Sequence, residues 1–294
     1  MEISVLADVK PLLGEGPLWD AEAGRLYFVD ALGRRVFRCT EHGAEMRAWT
    51  VPSRVGAVAL WDGQGLVAAL ADGFWRLDLE SGACDLLVRP DPVNANTALN
   101  DGKVDPMGRF VCGSMDLGEE HPTGALWRLE PDRTVTCLGQ GIICSNGPCW
   151  SPDGSVFYFA DSFTGEIGAW DHDPATGEIS GRRTFYTVPD ERGGAPDGAT
   201  VDEEGAVWSV AVFDGRIRRL SPEGEVLREI EMPVRKVTSV AWGGAGLDRL
   251  FVTSMAEPPL PRYPGDGQLR GSLFVIDGLG VRGRPEPRFA GGLS

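Results

Sequence analysis

Histidine is scarce in this sequence of 294 residues, which contains only three: His42, His121 and His172. None of them is spaced with a cysteine or a second histidine as the ligands of protein zinc sites are, and the six cysteines form no Cys-x-x-Cys pair. A Gly-x-Ser-x-Gly elbow, the setting of the catalytic serine in many hydrolases, is also missing. A histidine-based zinc site and Ser–His–Asp catalysis are therefore poor explanations of function.

Long hydrophobic runs are missing as well. No apolar stretch approaches the roughly 18–20 residues needed to cross a bilayer. Residues 1–8 lack the basic segment and apolar core of a secretory signal. We therefore expect a cytoplasmic protein without a membrane partner. Because cytoplasmic thiols stay reduced, the cysteines are expected to be free and to pack as small hydrophobic residues.

Positive charge is in deficit. The sequence has 28 Lys and Arg against 43 Asp and Glu, which gives a net charge of −15 and a pI near 4.7. Such a surface repels phosphate backbones, so nucleic acid is not an expected partner, whereas a bound cation is compatible with it. It also favours a monomer, because like-charged copies repel one another.

No amphipathic run with a 3.6-residue period is long enough for a substantial helix. Instead, 40 Gly and 21 Pro separate many short apolar stretches, as in strands joined by tight turns. Six stretches begin in a similar way, the second only weakly so. The markers of their starts are Gly16, Gly56, Asn100, Asn146, Asp197 and Thr238, at spacings of 40, 44, 46, 51 and 41 residues.

A strand-rich repeat of about 40–50 residues is typical of a four-stranded β-propeller blade. The sequence therefore predicts an all-β protein, a single six-bladed β-propeller domain over residues 1–294 with four-stranded blades. Residues 1–15 are expected to supply the outermost strand that closes the last blade and removes its free edge. Residues 257–264 contain four prolines and are expected to form a loop at the rim of the channel.

Five polar residues stand where innermost strands begin beside the predicted channel: Glu15, Asn100, Asp101, Asn146 and Asp197. Taken singly, each is explained by turn formation, since Asn-Gly and Asp-Gly are common turn dipeptides. Taken together, at matching places in four blades, they predict a group of oxygen ligands at the hub. Such ligands suit a hard divalent cation such as Ca²⁺, Mg²⁺ or Mn²⁺, although Zn²⁺ or Fe(II) could occupy the same place.

The motifs around these residues resemble the regucalcin/gluconolactonase family of six-bladed propellers. They are Leu13-Gly14-Glu15-Gly16-Pro17-Leu18-Trp19, Leu99-Asn100-Asp101-Gly102-Lys103-Val104-Asp105-Pro106, Ser145-Asn146-Gly147-Pro148 and Ala195-Pro196-Asp197-Gly198. The resemblance spans nearly the whole chain. It implies a metal-dependent lactonase that opens a sugar-derived lactone, of the aldonolactone or pentonolactone type, to the hydroxy acid.

The resemblance also implies roles for the polar residues. Glu15, Asn146 and Asp197 would ligate the metal, while Asn100 and Asp101 would hold substrate or water. Asp197 would act as the general base as well. Because a carboxylate bound to a dication is a weaker base, Asp101 is its rival for that role.

Two features of the substrate side are open to more than one interpretation. A glutamate expected to contact substrate corresponds to Glu119 or Glu120. Many family members have an arginine two residues before the Asn of the Asn-Asp-Gly motif, where this chain has Ala98. The loss of that arginine leaves room for a less hydroxylated ring.

Two other functions remain compatible with the sequence. One is a non-catalytic metal- or ligand-binding propeller, which the loss of the arginine at Ala98 supports and the retained Asn100–Asp101 pair opposes. The other is an esterase or phosphotriesterase-like hydrolase that uses the same cation. A propeller fold by itself does not choose among them.

Overall fold

The computed structural model describes residues 1–63, 65–90, 94–189, 193–258 and 266–292. Within these residues the chain forms 24 β-strands and one short 3₁₀ turn, Ser162–Thr164, but no α-helix. In particular, none of the described segments forms a helix long and apolar enough to cross a membrane. All six cysteines are free, as expected for reduced thiols.

The strands follow one another at short intervals. The first half of the chain contains β1 (Glu2–Ala7), β2 (Gly14–Asp20), β3 (Arg25–Asp30), β4 (Arg35–Cys39), β5 (Arg47–Thr50), β6 (Val55–Trp61), β7 (Gly65–Leu70), β8 (Gly73–Leu77), β9 (Cys84–Val88), β10 (Thr97–Val104), β11 (Phe110–Asp116), β12 (Gly124–Leu129) and β13 (Val135–Ile142). The second half contains β14 (Ser145–Trp150), β15 (Val156–Asp161), β16 (Glu166–His172), β17 (Ile179–Thr187), β18 (Ala195–Val201), β19 (Val207–Val212), β20 (Arg216–Leu220), β21 (Val226–Glu231), β22 (Val237–Gly243), β23 (Arg249–Ser254) and β24 (Leu273–Asp277).

These strands form six antiparallel four-stranded sheets, and this confirms the predicted six-bladed propeller. Five sheets use consecutive strands, from β2–β5 to β18–β21. The sixth has the order β1-β24-β23-β22, so the N-terminal strand pairs with the C-terminal one, with Glu2 opposite Asp277. The predicted closure by the first residues is therefore confirmed, and the outer edge of β24 is covered. Of the predicted loop 257–264, residues 259–264 lie outside the described residues.

The six innermost strands, β2, β6, β10, β14, β18 and β22, contact one another around a ring. Each has a register shift near its start, for example between Glu15 and Leu18 in β2 and between Asn146 and Cys149 in β14. A β-bulge of this kind bends the strand and re-aims its side chains. Gly16 and Gly147 have φ angles of 49° and 61° at these bulges, which only glycine adopts at low cost. The residue before the glycine is thereby turned toward the hub.

Neighbouring blades pack through apolar faces. Trp208 and Trp242 make an edge-to-face contact between the fifth and sixth blades, with ring centroids 5.3 Å apart. The aromatic residues expected in the core behave as predicted at Trp127 and Phe274, which are buried. Trp170 is only partly buried and packs against a cluster that contains Phe157.

The C-terminal residues cross the propeller at the far ends of the innermost strands. Gly283 N–H donates to the Leu247 carbonyl at 2.7 Å, and Phe289 N–H donates to the Leu60 carbonyl at 2.8 Å. Between these points Glu286 forms an ion pair with Lys103 at 3.0 Å. This end of the channel is therefore covered, and the polar hub residues lie at the opposite ends of the same strands.

The approach of β6 to β10 depends on a glycine. A Cβ atom added at Gly56 would lie 2.2 Å from the carbonyl oxygen of Asn100 and 2.5 Å from its Cα. Since these are backbone atoms, they cannot rotate away. We expect Gly56→Ala to lower the free energy of unfolding by about 1–3 kcal/mol, as overpacking does. Chemical denaturation would measure this, with Gly139→Ala as the control because a Cβ there meets nothing within 4 Å.

Candidate functional site

The starts of the innermost strands surround one cavity of about 570 Å³. Glu15 of β2, Asn100 of β10, Asn146 of β14 and Asp197 of β18 all line it. Four of the five hub residues singled out in the sequence therefore lie together, although at least 40 residues separate each from the next along the chain. Its wall also contains apolar side chains, among them Leu13, Met115, Phe163, Val188, Val212, Phe213 and Met255.

Glu15 and Asp197 are two buried carboxyl groups that repel each other. Burial raises the pKa of Glu15 well above its ordinary value, and the charges of Asp197 and Asp101 raise it further. Burial also raises the pKa of Asp197, with the charge of Asp101 as the next cause. Asp197 Oδ1 is buried without a hydrogen-bond partner among the described residues. A cation at this place would relieve both the repulsion and the unmet acceptor.

The amide of Asn146 is held in one orientation. Its Nδ2 donates to Ser162 Oγ at 2.8 Å, and that hydroxyl donates in turn to the Pro196 carbonyl at 2.7 Å. Because the Ser162 proton is used by Pro196, the hydroxyl can only accept from Asn146. Oδ1 of Asn146 is therefore the atom available to an electropositive ligand, with one lone pair left after it accepts from Asn100.

Asn100 connects Asn146 to a basic residue. Its Nδ2 donates to the Ser145 carbonyl at 2.9 Å and to Asn146 Oδ1 at 3.1 Å. Its own Oδ1 accepts from Arg54 Nη2 at 3.2 Å. A row of hydrogen bonds thus runs from Arg54 through the two amides to Ser162, and it fixes which atoms each amide presents to the cavity.

Asp101 has a different environment from Asp197. One carboxylate oxygen accepts from Gly102 N–H at 2.8 Å and the other from Gly147 N–H at 2.9 Å. It ties β10 to β14 and is not among the residues that line the cavity. Burial raises its pKa, while the bond from Gly147 and the charge of Lys103 oppose that rise. Its predicted contact with substrate or water stays a prediction.

The two glutamates considered for substrate contact, Glu119 and Glu120, differ in their position relative to the cavity. Glu119 lies in the turn after β11 with φ at 55° and lines the cavity. The Glu120 side chain is 77% exposed and is absent from the cavity wall. Only Glu119 is therefore placed to reach a bound molecule.

Two residues of the site were not anticipated from the sequence, Arg54 and Ser162. Arg54 stands two residues before Gly56, just as Asn100 stands two residues before Gly102. Extending the repeat register to the weak second copy would have identified Arg54. Ser162 carries no such signal, because it follows a second strand of its blade and reaches the hub only through the fold.

The donor set fits a hard cation. Glu15, Asp197 and Asn146 would supply oxygen atoms, the ligands that Ca²⁺, Mg²⁺ and Mn²⁺ prefer. Among the residues the structure describes, no group of three or more His, Cys, Asp and Glu is gathered as a metal cluster. This agrees with a set in which only two members are carboxylates and the third is an amide.

The fold and the hub define a six-bladed propeller with buried acidic and amide oxygens around one open cavity. Residues 13–256 match the model of the SMP-30/gluconolactonase/LRE-like region. The chain belongs to this family.

Individual relatives agree with that membership. The chain is similar to regucalcin from Xenopus laevis, at 34% identity, and to regucalcin from Homo sapiens, at 35%, with 95% of each chain covered in both cases. Among solved structures it is similar to a luciferin-regenerating enzyme, with a TM-score of 0.92, 30% identity and 99% of both chains covered. A calcium-binding regucalcin from Agrobacterium tumefaciens has a TM-score of 0.89 at 27% identity, covering 97% of this chain and 96% of that one. A gluconolactonase from Xanthomonas campestris has a TM-score of 0.74 at 26% identity, covering 93% and 88%.

Proposed function

We propose that this protein is a metal-dependent lactonase that opens a sugar-derived lactone to the hydroxy acid. The observation that carries the proposal is the meeting of Glu15, Asn146 and Asp197 at one cavity, with a buried Asp197 oxygen that has no partner among the described residues. Membership of the SMP-30/gluconolactonase family supports a lactonase type of activity. The gluconolactonase from Xanthomonas campestris, similar in structure, points the same way.

Glu15, Asn146 and Asp197 would hold the divalent cation, and Ca²⁺ is the first candidate because the Agrobacterium relative binds calcium. When bound, the cation would polarise the lactone carbonyl and stabilise negative charge on its oxygen. Mg²⁺, Mn²⁺, Zn²⁺ and Fe(II) remain as candidates to be ranked after chelation by adding back single ions.

Asp197 is the proposed general base. A water oxygen forms a bond to the carbonyl carbon while the Asp197 carboxylate accepts a proton from that water. The ring C–O bond then breaks, and the leaving ring oxygen takes a proton, which Asp197 can return. Asp197 lines the cavity, and its Oδ1 has no hydrogen-bond partner among the described residues, so it can accept a proton from a water there. Asp101 is the less favourable base because backbone N–H groups engage both of its oxygens.

A substrate panel tests the proposal. Purified protein is assayed with γ- and δ-lactones, an aryl ester and a phosphotriester, each with calcium and with a chelator. Lactones hydrolyse spontaneously, so each rate is corrected with a protein-free blank. We expect chelator-sensitive turnover of lactones in preference to the ester and the phosphotriester. Equal rates with and without protein for every lactone would reject the proposal.

One observation favours a second candidate, a non-catalytic metal-binding propeller. The Asn100–Asp101 pair argued for catalysis because a structural cation does not need a further acidic group beside it. In the structure Asp101 instead bridges two blades through Gly102 and Gly147, so a structural role explains it. Tight calcium binding without turnover of any lactone would support this second candidate.

Metal binding is expected to change stability in a way that depends on Asp197. Calcium at about 100 times its Kd should stabilise the native protein by about 2.7 kcal/mol. Asp197→Asn should abolish most of this increment, because it removes a ligand charge. The same variant should be more stable than the wild type when both are metal-free, because the repulsion with Glu15 is gone.

Thermal unfolding with calcium and with chelator measures both effects. Asp85→Ala, on the exposed outer strand β9, is the matched control and should keep the wild-type calcium increment. A metal-free Asp197→Asn protein less stable than the metal-free wild type would contradict the repulsion argument.

A further inference from the structure

Arg54 brings a guanidinium group to the wall of the cavity. It precedes β6 and is partly buried, and it lines the same cavity as Glu15, Asn100 and Asp197. Its Nη2 donates to Asn100 Oδ1 at 3.2 Å and contacts Met115 Sδ at 3.1 Å. Its Nε is buried without a hydrogen-bond partner among the described residues.

These contacts leave the guanidinium with unused donors. An arginine has five N–H groups and no acceptor, so the two contacts of Nη2 satisfy only part of it. Burial lowers the pKa of Arg54, while the charges of neighbouring groups, including Glu15 and Glu119, oppose that change. A buried N–H without a partner costs free energy, which a ligand oxygen would recover.

The guanidinium of Arg54 lies close to the sheet face on which Ala98 stands. In the antiparallel pair of β10 and β11, Ala98 lies directly opposite Met115. Side chains of directly opposed residues point to the same face of a sheet. Since Met115 lines the cavity and contacts Arg54, the Arg54 head lies beside the face to which a side chain at position 98 points.

We propose that Arg54 is the substrate-orienting residue of this chain. In this inference, which rests on the proposed lactonase function, Arg54 supplies from the second blade a guanidinium beside the face to which Ala98 points. It donates to a hydroxyl oxygen on the lactone ring and so selects hydroxylated lactones over unsubstituted ones. The lactone is thus a polar, sugar-derived one, and the alanine at position 98 does not exclude it.

The apolar part of the cavity wall makes the binding of a hydroxylated lactone depend on Arg54. Met115 lies against Arg54, and Phe163, Val188 and Phe213 add further apolar surface to the wall. A ring hydroxyl that faces these apolar side chains instead of the guanidinium would lose its hydrogen bonds to water. Sites built this way discriminate strongly against a molecule that lacks the matching polar group.

The test compares two lactones, a pentono-γ-lactone with ring hydroxyls and γ-butyrolactone, which has none. Arg54→Ala is expected to lower the ratio of their kcat/KM values about 10- to 100-fold, mainly through a higher KM for the hydroxylated lactone. Arg54→Lys should fall between, because an ammonium group lacks the planar fork of arginine. Arg47→Ala, an exposed arginine on the outer strand β5, is the control and should keep the wild-type ratio.

A transplant variant separates orientation of the substrate from support of the site. Arg54→Ala combined with Ala98→Arg should recover part of the lost ratio. Calcium affinity, measured by titration calorimetry, should not fall in Arg54→Ala, since Asn100 keeps its bonds to Ser145 and Asn146 and the lost positive charge repelled the cation. An equal loss of kcat/KM on both lactones, or a large loss of calcium affinity, would overturn the inference and leave Arg54 as a structural support of Asn100.

A second experiment tests the role of Arg54 if the proposed lactonase function is wrong. If the wild type hydrolyses no lactone, the calcium-loaded protein is titrated with the ring-opened pentonate instead. Binding by the wild type that is at least about tenfold weaker in Arg54→Ala would keep Arg54 as the recognition residue of a non-catalytic site. Equal binding by both proteins, or no binding by the wild type, would overturn the inference.

Discussion

Asp197→Ala is expected to reduce the rate of lactone hydrolysis by about 10³-fold or more, the scale of losing a general base together with a metal ligand. Asp197 is proposed both as the general base and as a metal ligand. It lines the cavity, and its Oδ1 is buried without a partner among the described residues. Among the described residues, no other carboxylate on the wall combines these two properties.

Initial rates at saturating calcium measure this effect, and circular dichroism verifies that the variant is folded. Because the substitution removes a ligand as well as a base, Asp197→Asn is assayed beside it over a wide range of calcium concentration. If excess calcium restores metal occupancy but not turnover in Asp197→Asn, the base role is separated from the ligand role. Retention of most activity by Asp197→Ala would show that the assignment is wrong.

Asp101→Asn provides the comparison between the two candidate bases. The substitution replaces an acceptor with an amide that would direct an N–H group at a backbone N–H of Gly102 or Gly147. We therefore expect its main effect on stability, with lactone hydrolysis by the folded protein reduced far less than in Asp197→Ala. The reverse order of activity would make Asp101 the base.

Trp242→Ala is expected to be the most destabilising of the substitutions considered, with a loss of about 3–5 kcal/mol in the free energy of unfolding. Trp242 is 1% exposed on β22 and packs against Trp208 of the fifth blade. The C-terminal segment presses on it as well, since a Cβ at Gly283 would lie 2.1 Å from the Trp242 side chain. Removing the indole would therefore open a cavity where two blades and the C-terminal segment meet.

Denaturant titration gives the midpoint and the slope of unfolding for Trp242→Ala. Trp242→Phe is the matched control, because it keeps an aromatic ring and removes an indole N–H that has no partner among the described residues. It should cost much less than the alanine variant. Val226→Ala, at an exposed position on β21, should change stability little. Equal midpoints for wild type and Trp242→Ala would refute the packing argument.

Much of the architecture follows from the sequence, because each blade of a propeller repeats a similar short pattern of turn and strand residues. A recurring turn glycine followed by an apolar run marks the start of five innermost strands, and the sixth, β22, begins with Val237-Thr238-Ser239 instead. The spacing of these starts predicted six blades, and the strand at Glu2–Ala7 closes the last blade as expected. Local patterns of this kind are read directly from a chain, since they depend on neighbouring residues.

The site was predictable in part for the same reason. Glu15, Asn146 and Asp197 directly precede the glycine of their repeats, and Asn100 stands two residues before its own. A closed ring therefore brings all four toward one hub, and the structure places them on one cavity. Their roles as ligands and base stay predictions. Asp101 occupies an equivalent place too, yet the structure directs it to the backbone of the next blade.

The sequence by itself determined the repeat, the number of blades and the chemistry of the hub, since each is encoded by residue type and spacing. Only the tertiary structure decided which polar atoms remain available at the cavity, because hydrogen bonds between blades use up some of them. Ser162 is committed to Asn146 and Pro196, Asp101 is committed to Gly102 and Gly147, and Arg54 retains donors beside the face on which Ala98 lies. Many of these contacts join residues far apart in the chain, so no local sequence pattern predicts them.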